Sequence, residues 1–138
     1  MHDASKVALG STQSSFRTVV NHKGEIPAGK IVRLKSDDTI SIASADGNAL
    51  GISLGKSLSD IARTAICVRG KGVPVLLTDD FTPTVGAQVA IHNTTGIAAT
   101  KDGSSTYVNA VYAVDLLTGI AEDGTEVRVA IIDFPGGL

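Results

Sequence analysis

The sequence is poor in aromatic residues: it has no tryptophan, two tyrosines and three phenylalanines among 138 residues. Hydrophobic residues nevertheless make up 43% of the chain. The core of the one domain that this length allows must therefore be built from valine, isoleucine, leucine and alanine, whose β-branched members favour strands. The lack of aromatic side chains beside basic residues also argues against binding of single-stranded nucleic acid.

Cysteine is almost absent. Cys67 is the single cysteine, so an intramolecular disulfide is excluded. It lies in the apolar run AICV at residues 65–68, and we interpret it as a buried, inert thiol. Apolar runs such as residues 73–77 are too short to span a bilayer, and residues 1–6 lack the apolar region of a secretory signal.

Charge is low but unevenly distributed, with a formal net charge of −2. Residues 1–35 contain six basic and two acidic residues, whereas the remaining 103 residues contain six basic and twelve acidic ones. The acidic balance is not typical of a nucleic-acid-binding protein. The asymmetry can steer a partner protein or a neighbouring subunit towards one part of the surface.

From residue 29 onwards, short runs of alternating apolar and polar residues are separated by glycine-containing turns. This period of two predicts strands, and the regular turns favour a small all-β domain, sandwich-like or barrel-like, over residues 29–138. Pro74 places its run at a sheet edge or a bulge. A helix is predicted at most once, over residues 57–63. The alternation predicts these inward-facing residues: Ile40, Ile42, Leu50, Ile52, Val127, Val129 and Ile131.

Residues 1–28 are more polar and weakly patterned, which indicates an N-terminal arm or a loosely held first strand. The segment carries a few apolar positions and three positive charges, and two of these charges are predicted to contact a partner. We predict these partner-contact residues: Val7, Leu9, Phe16, Arg17, Val19, Val20 and Lys23.

The sequence offers no convincing catalytic, cofactor-binding or metal-ligating group. The three histidines are far apart and lack the spacing of metal ligands. The paired acids at residues 37–38 and 79–80 are typical of turns. Ser53 lies in GISLG, which has the spacing of a nucleophile elbow, but the alternating pattern places it within a strand rather than at a strand-to-helix turn.

The order of the strand-like segments resembles that of tailed-phage capsid decoration proteins, also called cement or head-stabilisation proteins. The resemblance covers residues 26–134 and is carried by the sequence of segments rather than by any one of them. The matching segments are PAGKIVRL at 27–34, DTISIA at 38–43, LGISL at 50–54, AICVRGKGVPV at 65–75, VGAQVAI at 85–91, TGIA at 95–98, NAVYA at 109–113 and VRVAI at 127–131.

This resemblance implies a structural protein rather than an enzyme. It would be made in the host cytoplasm and would bind the outer surface of an icosahedral head through the major capsid protein. It would assemble with itself, commonly as a trimer, and would require no cofactor, nucleic acid or membrane. Residues 29–138 would form the β-rich decoration domain and residues 1–28 its arm.

Two other classes stay open. A small trimeric β-barrel enzyme of the nucleotide-hydrolase type has a similar length, but Tyr107 and Tyr112 lack the glycine-flanked loop that such a site needs. A carbohydrate-binding or adhesive β-module is the other, although such sites usually present tryptophan or tyrosine platforms.

Overall fold

The structure is a computed structural model that describes residues 7–10, 17–21, 26–42, 49–56, 63–78, 81–92, 95–101, 105–121 and 123–138. These residues form only strands, turns and irregular segments, which confirms the predicted all-β class. None of them belongs to a helix suited to crossing a membrane. The helix predicted at residues 57–63 lies almost entirely outside the described residues. The strands are β1 (Val7–Ala8), β2 (Arg17–Asn21), β3 (Ile31–Leu34), β4 (Ile40–Ile42), β5 (Ala49–Lys56), β6 (Arg63–Cys67), β7 (Gly70–Leu76), β8 (Gln88–His92), β9 (Ala98–Ala99), β10 (Ser105–Ile120) and β11 (Glu126–Phe134).

The strands form two sheets that are antiparallel apart from one short parallel pair. Sheet A has the order β7-β11-β10-β8-β9, and β1 pairs in parallel with β10. Sheet B has the order β2-β6-β5-β3-β4. Strand β7, which contains Pro74, stands at the end of its sheet, as the missing amide hydrogen of proline requires. A single bridge between Leu77 and Ala98 connects the two ends of sheet A without closing it into a barrel.

The main core combines aliphatic side chains from both sheets. Ile31, Ile52 and Cys67 come from sheet B, and the remaining members come from sheet A and the residue after β7. Those members are Val73, Val75, Leu77, Val89, Ile91, Ala98, Val108, Ala110, Tyr112, Ala130, Ile132 and Phe134. A second cluster of Ile26, Val32, Ile40 and Ile66 lies within the sheet B half. Successive residues of a strand face opposite sides of the sheet, so Ile31 packs in the main core and Val32 packs in the second cluster.

The inward prediction for β11 is confirmed for Val129, which is fully buried, whereas Val127 and Ile131 are only partly buried. The main cluster contains Ala130, Ile132 and Phe134, whereas Val129 is buried on the opposite face. The odd-numbered positions looked like the inward face because residues 127, 129 and 131 are all branched and apolar. The even-numbered set also becomes apolar from Ala130 onwards, so β11 has two apolar faces and alternation does not tell them apart.

The other inward predictions agree with the observed burial. Ile40 and Ile52 are fully buried, while Leu50 is partly buried against the second cluster and Ile42 is partly buried.

Replacing Ile52 by alanine tests the main core. We expect Ile52→Ala to lower the free energy of unfolding by about 2–5 kcal/mol, because the substitution removes buried methyl groups and leaves a cavity. Leu34→Ala is the matched control, since Leu34 is 49% exposed. Its cost in a urea titration should stay below about 0.5 kcal/mol. Equal losses for the two variants would contradict the assigned core.

A buried tyrosine makes the fold sensitive to alkali. Tyr112 is 1% exposed, its ring lies 5.8 Å from that of Phe81, and no described residue pairs with its hydroxyl group. Burial raises the pKa of Tyr112 well above its usual value. Above a pH of about 10, an unfolded chain loses this proton while the folded chain keeps it, so the folded state becomes less stable as the pH rises.

We therefore expect Tyr112→Phe to reduce the loss of stability between pH 9 and pH 11. The variant should be no less stable than the parent at pH 7, because it removes a buried hydroxyl that no described residue satisfies. Thermal unfolding across this pH range measures both effects. Tyr107→Phe, a change at a half-exposed tyrosine, should keep the alkaline loss of the parent. If Tyr112→Phe lost as much stability as the parent between pH 9 and pH 11, the loss would have to come from another titrating group.

Candidate interaction surface

The structure distributes the predicted partner-contact residues over both sheets. Val7 lies in β1, opposite Gly119 of β10, and the amide of Leu9 donates to the carbonyl of Ile120 at 3.0 Å. Arg17, Val19 and Val20 lie in β2, which pairs with β6 from Cys67 to Arg63. Phe16 and Lys23 lie outside the described residues. The described parts of residues 1–28 are thus paired with the β-rich domain.

Two glycines allow the N-terminal segment to lie close to the domain. Both Gly10 and Gly29 have a positive φ, of 87° and 86°, which glycine adopts without strain. A β-carbon at Gly10 would approach the carbonyl oxygen of Leu54 to 2.5 Å, and one at Gly29 would approach a methyl group of Leu9 to 2.7 Å. Leu9 therefore lies against the 26–30 turn.

Ser53 is a structural serine that connects β5 to the same turn. Its side chain is fully buried, and its Oγ donates to the carbonyl of Pro27 at 2.6 Å. The same oxygen accepts a hydrogen bond from the amide of Lys30 at 3.1 Å. The backbone of the turn thus uses both the donor and the acceptor capacity of this hydroxyl. This arrangement fits the strand serine inferred from the alternating pattern and not a solvent-facing nucleophile.

The cysteine and the first pair of acids considered in the sequence analysis also occupy structural positions. Cys67 is fully buried, and its Sγ donates to the carbonyl of Arg69. Asp37 and Asp38 lie in the turn between β3 and β4, where Asp37 accepts hydrogen bonds from Thr39 and Asp38 adopts a φ of 63°. Within the described residues, no three histidine, cysteine or acidic side chains come together as metal ligands would.

Three of the four large hydrophobic side chains that are exposed among the described residues lie in or beside β10. Val85 is 56% exposed, Tyr107 49% and Val111 43%, and the fourth, Leu34 in sheet B, is 49% exposed. Val85 lies just before Gly86 and Ala87, whose backbone groups bond to those of Tyr112 in β10. Tyr107 and Val111 thus belong to β10 itself, and Val85 lies in the loop whose next two residues bond to that strand.

Strand β10 divides its residues strictly between core and solvent over this stretch. Val108, Ala110 and Tyr112 are buried in the main cluster, whereas Tyr107, Asn109 and Val111 are exposed. We call these three exposed residues the β10 outer strip. Apolar residues occupy both odd and even positions from 107 to 112, so alternation does not single out the strip. Asn109 is the one clearly polar residue of this stretch and is the available signal for its solvent-facing side.

A shallow cleft of about 350 Å³ lies beside the strip, and we call it the β10 cleft. The pairing register places Val111 between Gln88 of β8 and Asp133 of β11. The residues that line the β10 cleft are Gly86, Gln88, Asn109, Ala110, Val111, Asp133, Pro135 and Gly136. Polar side chains of three types and an exposed valine thus share one concave surface.

A second cavity of about 430 Å³ lies near the ends of β7, β10 and β11. Leucine, isoleucine and valine side chains form much of its wall, and Glu126 and Arg128 contribute charge. The guanidinium group of Arg128 donates to the carbonyls of Thr78 and Phe81 at 3.0 and 2.8 Å. Arg128 therefore fixes the segment after β7 against the sheet.

No protein-family model, curated protein or solved structure matches the chain.

Replacing Ser53 by alanine tests its structural role. We expect Ser53→Ala to lower the free energy of unfolding by about 1–3 kcal/mol, because the carbonyl of Pro27 and the amide of Lys30 lose their side-chain partner in a partly buried site. Ser36→Ala, at an exposed turn position, should change the stability by less than about 0.5 kcal/mol. A stable Ser53→Ala protein that had lost a hydrolytic activity would contradict this interpretation.

Proposed function

We propose that this chain is a structural capsid decoration protein. It binds the outer surface of an icosahedral phage head, bridges neighbouring major capsid proteins, and so stabilises the head against the pressure of packaged DNA. The observation that carries the proposal is a contrast between two groups of side chains. Ser53 and Cys67 are buried and hydrogen-bonded inside the fold, whereas exposed apolar side chains gather around β10.

Such a surface suits a protein that works by adhesion. Tyr107 and Val111 lose solvent when another protein covers sheet A, and each buried square ångström of apolar surface stabilises the contact by about 25 cal/mol. A decoration protein occupies many equivalent positions on one head. Modest contacts made at each position then combine, because subunits that bridge neighbours act as multivalent links.

The N-terminal residues are proposed as the second part of the contact with the capsid. Val7, Leu9, Val19 and Val20 supply apolar positions, and Arg17 and Lys23 supply positive charge in a chain whose later part is acidic. Attraction between these charges and an acidic capsid surface decreases as salt screens it. Phe16 completes the proposed set.

Self-association forms part of the proposal. Only 19% of the residues are charged, which leaves few charges to cover the exterior of a 138-residue monomer. Contact between copies removes the remaining exposed apolar area from water. The choice of a trimer rests on the resemblance to decoration proteins. A nucleotide-hydrolase site that used Tyr112 is disfavoured, since this side chain is buried in the core.

Binding to empty and DNA-filled heads of the phage that encodes this chain, prepared without the chain, tests the function. We expect the intact protein to co-sediment with the heads at a fixed stoichiometry, to appear on their outer surface by cryo-electron microscopy, and to raise the temperature at which filled heads release DNA. The double variant Arg17→Glu/Lys23→Glu should bind severalfold more weakly at low salt, with the difference shrinking as salt approaches 1 M.

Charge reversal is preferable to deletion here, because deleting residues 1–20 also removes β1 and most of β2 from their sheets. Lys35→Glu/Lys71→Glu is the matched control, since both lysines are exposed and lie outside the predicted contact set. Failure of the intact protein to bind the heads of its own phage would overturn the proposed function. Equal binding by both double variants would remove Arg17 and Lys23 from the contact.

A further inference from the structure

The three polar side chains of the β10 cleft each have one polar atom fixed by the backbone. The side-chain amide nitrogen of Gln88 donates to the carbonyl of Val108 at 3.1 Å. That of Asn109 donates to the carbonyl of Gly137 at 3.3 Å. One carboxylate oxygen of Asp133 accepts a hydrogen bond from the amide of Gly72 at 2.9 Å. These bonds hold each side chain in a defined orientation.

Most of the hydrogen-bonding capacity that remains for a ligand is that of acceptors, because each of the two side-chain amides keeps only one unused N–H group. The acceptors are Oε1 of Gln88, Oδ1 of Asn109 and Oδ2 of Asp133, and none of them receives a hydrogen bond from a described residue. Asp133 and Gln88 flank Val111 in register, and Asn109 lies two residues along the same exposed face of β10. The cleft therefore presents several oxygens and one negative charge above an apolar floor.

This set of atoms selects among ligands by chemistry. A sugar hydroxyl both donates and accepts, but it carries no charge to pair with the Asp133 carboxylate, and Gln88 and Asn109 each have only one N–H group left to donate to it. An anion is repelled by Asp133. A guanidinium group has five N–H donors and no acceptor, and its planar fork matches a carboxylate flanked by amide oxygens.

The apolar parts of the surface fit the rest of an arginine side chain. Val111 is 43% exposed and Pro135 lies at the cleft wall, so the methylene stem of an arginine can pack there. A cation already lies on the outer strip: the ammonium group of Lys101 stands 5.4 Å from the centre of the Tyr107 ring.

From this geometry we propose that the β10 cleft is a binding site for an arginine side chain presented by a partner protein. The Asp133 carboxylate pairs with the guanidinium group, the oxygens of Gln88 and Asn109 accept its remaining N–H groups, and Val111 contacts its stem. This assignment does not depend on the proposed decoration function, and its test uses no capsid.

The test compares two nearly isosteric probes on the full chain. Nα-acetyl-arginine methylamide carries the guanidinium charge, whereas the citrulline analogue replaces it with a neutral urea group. Titration followed by ¹H–¹⁵N NMR should show saturable shifts of the Gln88 and Asn109 side-chain amide signals with the arginine probe. Binding of the citrulline probe should be at least about tenfold weaker, which is the ratio expected when a charge-assisted hydrogen bond is replaced by a neutral one.

Two pairs of variants locate the site. Asp133→Asn keeps an acceptor for the Gly72 amide but removes the charge, and should weaken arginine binding about tenfold, whereas Asp123→Asn, in an exposed turn outside the cleft, should not. Val111→Lys places a competing cation in the cleft and should abolish binding, whereas Leu34→Lys on sheet B should not.

Absence of shifts with the arginine probe, or equal binding of both probes, would overturn the proposal. Equal weakening by Asp133→Asn and Asp123→Asn would do the same, because the attraction would then be a property of the whole surface. Each of these outcomes is measured on the isolated protein. A negative result here therefore does not affect the head-binding test, and a negative head-binding result does not affect this proposal.

Discussion

Strand β10 contributes both to the core and to the exposed apolar surface of the described residues, where Tyr107 and Val111 are 49% and 43% exposed. Its inward side chains at 108, 110 and 112 join the main cluster, and its pairing with β8 and β11 holds sheet A together. The same alternation then forces residues 107, 109 and 111 outwards. The position of the candidate site is thus fixed by the packing of the core, because neither face of the strand can move without the other.

Aliphatic packing alone leaves the two sheets free to slide, and polar contacts in the turns limit this movement. Ser53 ties β5 to the backbone of the 26–30 turn, whose Gly29 carbonyl accepts a hydrogen bond from Leu76 of sheet A. The amide of Ile31 donates to Gly96, next to sheet A. These directional bonds specify one register between the sheets, whereas contact between branched side chains specifies only that the sheets are buried.

The sequence predicted the buried face of a strand correctly where the opposite face was polar. Ile40 and Ile52 were placed correctly because polar or small residues alternate with them, and Pro74 correctly indicated an edge strand. In strand β11 the prediction included the buried Val129 but missed Ala130, Ile132 and Phe134, because both faces of the strand are apolar near residue 130. The β10 cleft was not predicted at all. Gln88, Asn109 and Asp133 are far apart in sequence, and only the antiparallel register brings them to one surface.

The cleft and the interior of the fold use polar side chains in different ways. In the interior, Ser53 uses both its donor and its acceptor capacity on the backbone, which leaves nothing for a ligand. At the cleft, each side chain uses one polar atom to bond to the backbone, and its other polar atom has no bond to a described residue. Fixing one half of a side chain lowers the conformational entropy that binding must remove from the other half. A surface of this kind is selective when its polar atoms are held in place before a partner arrives.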